Sequence, residues 1–175
     1  FLSPNFLTLN NITSILMATT VTGILALGVT FVIITGGIDL SVGTAMIFCG
    51  VMAGVFMTYW GLPIWIGVIL TILVGLLIGF INGFTVAVLH IPPFIATLAM
   101  MMVTQGLALV VSGTMPIYFN DSPGFSEIMN APIIPGTRIP MGVLVFIVMI
   151  VIAWFVLSKT LLGRYDFAIG SNEKA

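Results

Sequence analysis

One histidine, His90, and one cysteine, Cys49, are the chain's whole stock of the side chains that most often ligate transition metals or act as nucleophiles. A single His rules out an HExxH zinc site, and a lone Cys rules out cysteine-rich metal sites and an internal disulfide. Cys49, inside an apolar run, reads as a small buried apolar residue and leaves the redox compartment undetermined. His90, beside Pro92 and Pro93, reads as a solvated turn residue rather than a proton relay. Lys159-Thr160 is the only Lys followed by Ser or Thr, and a phosphate-binding loop there would need glycines where Ala153 and Ser158 stand. The chain therefore cannot cradle ATP in that way, and no cofactor or metal is expected.

The remaining polar residues with chemical potential stand inside apolar surroundings. Asp39 is the only carboxylate before residue 121. Charged at mid-bilayer it would cost about 2.5 to 3.5 kcal/mol on insertion scales, and its neighbours Gly36, Gly37 and Ser41 point instead to a helix end. Two readings stand: an interfacial cap, or a residue of a gate or solute pathway. Asn82 and Gln105 are the amides deepest within apolar runs, and each needs a hydrogen-bond partner in lipid, from another helix or from a pathway. Asp39, Ser41, Asn82 and Gln105 are thus the candidates for a translocation pathway or gate.

Five long apolar runs must position these residues. Apolar residues make up 60% of the sequence and charged ones 5%, with a mean hydropathy of +1.31, which would leave a water-soluble domain without a polar surface. A bilayer core about 30 Å thick needs roughly 20 apolar helical residues. The runs are 12–35, ended by Gly36-Gly37; 42–60, with Asp39 or Ser41 available to accept from its first-turn amides; 64–89, broken by His90-Ile91-Pro92-Pro93; 94–111, slightly short and open to a re-entrant reading; and 141–157. Tyr59, Trp60 and Trp65 cluster at the turn around Pro63, as aromatics do at a membrane interface. The expected fold is all-α: one polytopic transmembrane helical domain over 1–175, with a sizeable loop at 113–140 and a polar tail at 159–175. The net charge of −1 and the lack of a basic cluster argue against nucleic acid as a partner. No signal-peptide pattern opens the chain; its first residue is Phe1, and both ends read as cut.

Basic residues orient the spans, since cytoplasmic loops hold the excess. Lys159, Arg164 and Lys174 follow the fifth run, while Arg138 alone lies in the loop before it. The tail is then cytoplasmic, the loop 113–140 outside, His90 inside, the Trp60 turn outside and Asp39 inside; a re-entrant fourth run would reverse everything before it. Gly50 and Gly54 on the second run, Gly75, Gly79 and Gly83 on the third, and Thr104, Ala108 and Ser112 on the fourth recur every four residues. They make small-residue stripes expected to pack against other helices.

Three separated stretches carry a resemblance: Ile33-Ile34-Thr35-Gly36-Gly37-Ile38-Asp39-Leu40-Ser41-Val42-Gly43, then Ile91-Pro92-Pro93-Phe94-Ile95-Ala96-Thr97-Leu98, then Thr160-Leu161-Leu162-Gly163-Arg164-Tyr165 continuing through Ala168, Gly170, Asn172 and Glu173 to Ala175. In this order they resemble the permease subunits of bacterial ABC importers for monosaccharides, the ribose, xylose, galactose and autoinducer-2 class. The resemblance covers the whole chain. It implies roughly ten spans in a complete subunit, of which these would be about the first half, in the bacterial cytoplasmic (inner) membrane. It also implies a second permease subunit, most simply as a homodimer, an ABC ATPase subunit, and an extracytoplasmic sugar-binding protein. The third stretch would begin the cytoplasmic loop that docks on the ATPase, with Gly163, Arg164, Tyr165, Ala168, Gly170, Asn172 and Glu173 as coupling residues; Lys174 departs from the small residue usual there. The permease would catalyse no bond change, and solute would pass by alternating access driven by the partner ATPase. Composition alone leaves a channel or secondary carrier as the alternative; its signs would be charged rings or intramembrane ion ligands, and neither is present.

Overall fold

The computed structural model describes residues 6–119, 122, 124–125, 127–133 and 139–171. Their order is α1 (Leu9–Ile34), α2 (Val42–Gly54), a π-helical segment (Val55–Tyr59), α3 (Ile64–Ala87), α4 (Pro93–Ser112), the single turn α5 (Glu127–Asn130), α6 (Met141–Lys159) and α7 (Leu161–Ser171). Five helices are long and apolar enough to cross a membrane, the second formed by α2 together with the π segment. Their outward faces are apolar, as at Phe80, Trp65 and Val110, the last 77% exposed. This is the surface of an integral membrane protein, whose solvent is hydrocarbon.

The helix ends follow the local sequence. Thr8 accepts from the Asn11 amide and starts α1 one turn earlier than the apolar run suggests. Gly36, at φ +79°, ends that helix in the left-handed region where a glycine costs least. Pro93 opens α4 at a position whose amide needs no partner, and Gly113 (φ +60°) closes it. The fourth run is thus a continuous helix of 20 residues, about 30 Å long, which matches the hydrocarbon core.

The chain divides into two compact units. The first holds α1, α5, α6 and α7. Gly23 lies under the Phe146 ring, and Gly142 under Met17, so α1 and α6 approach closely where glycine leaves room. The tail expected as merely polar forms a helix: Thr160 is extended, its hydroxyl donates back to the Val156 carbonyl (2.6 Å) and accepts from the Gly163 amide (3.5 Å), and α7 starts from that corner.

The second unit holds α2, the π segment, α3 and α4. Phe48 of α2, Ile78 of α3 and Ala108 of α4 form its buried core. At the far end of α2 the backbone widens into the π segment, with Trp60 N–H donating to Val55 C=O (2.9 Å). Val55, Phe56 and Met57 are buried there; Gly67 leaves room for Met57, which a Cβ would run into, and Gly54 leaves room for Ile117, whose Cγ2 would stand 2.6 Å from a Cβ.

Candidate functional site

The start of α2 is where the second unit collects its polar side chains. Asp39 Oδ1 accepts from both the backbone N–H (2.8 Å) and the hydroxyl (2.7 Å) of Ser41. Ser41 occupies the cap position of α2 but caps with its own side chain nothing; Asp39 serves the turn instead, as short acids do two residues upstream of an amide. The Ser41 hydroxyl in turn accepts from Asn82 Nδ2 of α3 at 2.9 Å. Ser41 is 1% exposed and Asn82 8%.

From the same turn the network reaches α4. Thr44 donates to the Ser41 carbonyl (3.0 Å) and accepts from Thr104 (2.8 Å), which is itself fully buried. The Thr104 hydroxyl also lies 2.9 Å from the Met100 carbonyl, and its one proton serves either acceptor. Thr97 stands in the same position between the Ile38 carbonyl (3.1 Å) and that of Pro93 (2.8 Å). These bonds tie the first turn of α2 to α3 and α4. Among the described residues no buried side-chain nitrogen or oxygen lacks a partner, so the cluster satisfies itself without a ligand.

Structure therefore separates the four pathway candidates. Asp39, Ser41 and Asn82 come together as one structural knot. Gln105 does not join them: it is exposed on α4, hydrogen-bonds to no described residue, and edges an open notch of about 210 Å³ with Thr44, Ile47, Ala108 and Leu109. Sequence reasoning missed Thr44 and Thr97 and took Thr104 only as part of a packing stripe. A signal was present: Thr97 and Thr104 are seven apart, hence on one helix face, and Ser41 and Thr44 are three apart.

The coupling residues lie on α7 and beyond. Arg164, Tyr165 and Ala168 are exposed, whereas Gly163 is buried, and a Cβ there would collide with the Leu157 backbone at the end of α6. Gly170 lies as closely against the Ile34 carbonyl at the end of α1. Asn172 and Glu173 lie outside the described residues. His90 takes a left-handed backbone (φ +55°), exposed, with Nδ1 2.9 Å from the Val88 carbonyl, as a turn residue would.

The small-residue stripes pack less than expected within this chain. Gly54 meets Ile117 and Gly75 makes ordinary contact with Cys49 Sγ at 3.6 Å, but Gly50, Gly79 and Gly83 face nothing within 4 Å. On the fourth helix Thr104 and Ala108 are buried, and Ser112 turns back to the Leu109 carbonyl. Among the described residues no three His, Cys, Asp or Glu gather to hold a metal.

Residues 11–175 match the family model described as "Branched-chain amino acid transport system / permease component". The chain belongs to this permease family. Within it, the permease is 40% identical over 182 residues to the ribose import permease of Escherichia coli strain K12, an alignment covering 99% of this chain and 54% of that protein. It is 36% identical over 178 residues to the ribose import permease of Haemophilus influenzae, covering 99% and 54%. It is 34% identical over 178 residues to the fructose import permease of Rhizobium meliloti, covering 99% and 49%. The permease thus spans about half the length of these curated relatives. No solved structure matches it.

Proposed function

We propose that the complete protein is the membrane-spanning permease subunit of an ATP-binding cassette importer, carrying a ribose-like monosaccharide across the cytoplasmic membrane by alternating access. Its partners are a separate ABC ATPase subunit, a second permease copy and an extracytoplasmic sugar-binding protein. The similarity to ribose and fructose import permeases supports the sugar class. In this reading ATP hydrolysis belongs to the separate ATPase subunit, and the one Lys-Thr pair of this sequence, Lys159-Thr160, lacks the glycines of a phosphate-binding loop.

The observation that carries the reading is α7. It is the short helix that follows α6, it carries Arg164 just after Lys159 at the end of that span, and its two glycines sit against the ends of α6 and α1 while Arg164, Tyr165 and Ala168 stay exposed. A helix mounted that way can take a push from a soluble partner and pass it to two spans. Arg164 offers a planar set of donors for a partner's carboxylate or carbonyls.

The test uses the full-length protein reconstituted with its ATPase and binding protein. Ribose uptake should require ATP, and Arg164→Glu should abolish sugar-stimulated ATP hydrolysis while Lys159→Glu retains it. Uptake that proceeds without the ATPase would instead establish the channel or carrier. If both variants keep normal assembly and stimulation, α7 is not the coupling element.

A further inference from the structure

Of the two amides deep within the spans, Asn82 is committed to Ser41, while Gln105, near the middle of α4, is exposed and hydrogen-bonds to no described residue. An amide carries two N–H donors and an acceptor with two lone pairs, and lipid tails offer nothing to either. Its exposed neighbours Met102, Val103, Leu107 and Leu109 are apolar and at home in hydrocarbon. Gln105 is the residue there that asks for a partner from another protein helix.

The helix around it says what kind of partner fits. Ile95, Leu98, Met102, Gln105, Leu109 and Ser112 follow one another at intervals of three and four, the repeat of a coiled-coil seam. This seam is separate from the face that α4 already uses. Thr97, Thr104 and Ala108 are buried on the α2 side, and Gln105 stands about 100° round the helix from Thr104. Ile95, Met102, Gln105 and Leu109 are exposed. A single polar residue within an apolar seam fixes register and partner, because any other pairing leaves it in lipid. The notch of about 210 Å³ beside Leu109 and Ile47 is walled by carbon, and it would take an apolar side chain of the facing helix as a hole takes a knob.

We propose that this seam is where a second copy of the permease packs, α4 against α4, with the two Gln105 amides hydrogen-bonded across a two-fold axis. Copies of one chain insert with the same orientation, so a two-fold axis normal to the membrane sets every residue at the depth of its twin. An amide is its own complement, donating and accepting at once. A second copy thus brings to Gln105 the group it lacks, whereas a helix from the rest of the longer protein would need a polar residue of its own at this depth. This pairing rests on the importer reading and adds to its second permease copy the helix and the residue that join the two.

The experiment places single cysteines in a Cys49→Ala background of the full-length protein, in native membranes oxidised with copper phenanthroline. Gln105→Cys, with Met102→Cys and Leu109→Cys about a turn to either side, should give disulfide-linked dimers. Val103→Cys and Leu107→Cys should not, because two residues at about 100° each put them on the opposite side of α4. By sedimentation equilibrium in detergent, Gln105→Leu should weaken self-association about three- to tenfold, as the loss of one or two interhelical hydrogen bonds would. Gln105→Asn, which keeps an amide, should weaken it less. Cross-links from Leu107→Cys but not from Gln105→Cys, or self-association that Gln105→Leu leaves unchanged, would overturn the pairing. So would a Gln105→Cys protein that stays monomeric: resistance to a lipid-soluble maleimide would then show the rest of the same chain over the seam, and ready labelling would show lipid there. ATP-dependent ribose uptake by the unsubstituted protein tests the importer reading by itself. Uptake that needs ATP, without cross-links, removes only the pairing; a cross-linked pair whose uptake ignores the ATPase removes the importer and leaves a paired channel or carrier.

Discussion

At Ser41 one hydroxyl proton goes to Asp39 and one lone pair receives Asn82, and that division of labour makes the site sensitive to charge rather than to size. Asn82→Leu removes a donor and leaves the Ser41–Asp39 bond intact; interhelical hydrogen bonds of this kind average about 0.6 kcal/mol. Asn82→Asp does something worse. It sets a second carboxylate against the same hydroxyl, whose single proton is already given to Asp39, and two acids close together in low dielectric cannot both ionise cheaply. The expected order of membrane-inserted, detergent-stable yield is wild type, then Asn82→Leu, then Asn82→Asp well below; an Asn82→Asp protein as stable as Asn82→Leu would mean that Asn82 does not bond to Ser41. Asn82 and Ser41 were legible as polar residues in an apolar chain, and the need for partners followed from lipid as solvent. Their pairing was not legible, because they are 41 positions apart and only the packing of α2 on α3 brings them together.

Helices were legible as elements because long uncharged runs have few alternatives in a membrane, and Gly36, Pro93 and Gly113 mark their ends by residue type. Two features escaped that reading. The π segment at Val55–Tyr59 has no composition signal distinct from an α-helix, and α7 was masked by its polarity, which looked like a tail. Glycine spacing misled in part: Gly50, Gly79 and Gly83 share the four-residue repeat yet meet nothing within 4 Å in this chain, while Gly67, in the same register but left out of the stripe, carries the close approach to Met57. Gly67→Ala should therefore destabilise the protein, since Met57 and the buried π segment must shift, whereas Gly79→Ala should be neutral or stabilising by up to about 1 kcal/mol through helix propensity. Thermal unfolding of the full-length protein in detergent distinguishes them. Equal losses for the two would mean that a further helix covers Gly79 as closely as Met57 covers Gly67. A second element-scale expectation concerns α7: Gly163→Ala should lower folded yield because the added methyl meets the Leu157 backbone, whereas Ala168→Gly should change stability by no more than about 1 kcal/mol.

On the scale of the whole molecule, the spans, the loop at 113–140 and α7 make a functional claim only if they lie on stated sides of the membrane. In the proposed importer, Arg164 would meet a soluble ATPase only from the cytoplasm, and a sugar-binding protein would need the opposite face. Orientation rests on the basic residues Lys159, Arg164 and Lys174 after α6, against Arg138 before it. The 20-residue length of α4, enough for a full crossing, bears only on the sides of the elements before it. Single-cysteine labelling in intact cells, in a Cys49→Ala background, measures the sides directly. Ser122, though in the outer loop by sequence, is 7% exposed and a poor reporter; Thr114, exposed just after α4, is better, and Ser171, exposed at the end of α7, reports the other side. Thr114→Cys should react with an impermeant maleimide added outside, and Ser171→Cys should react only after the membrane is opened. The reverse pattern would put α7 outside, beyond the reach of any ATPase, and would remove the coupling role and the importer orientation together. Labelling of both from outside would mean that the chain crosses an even number of times between them, so that α6 does not span as its length and composition require.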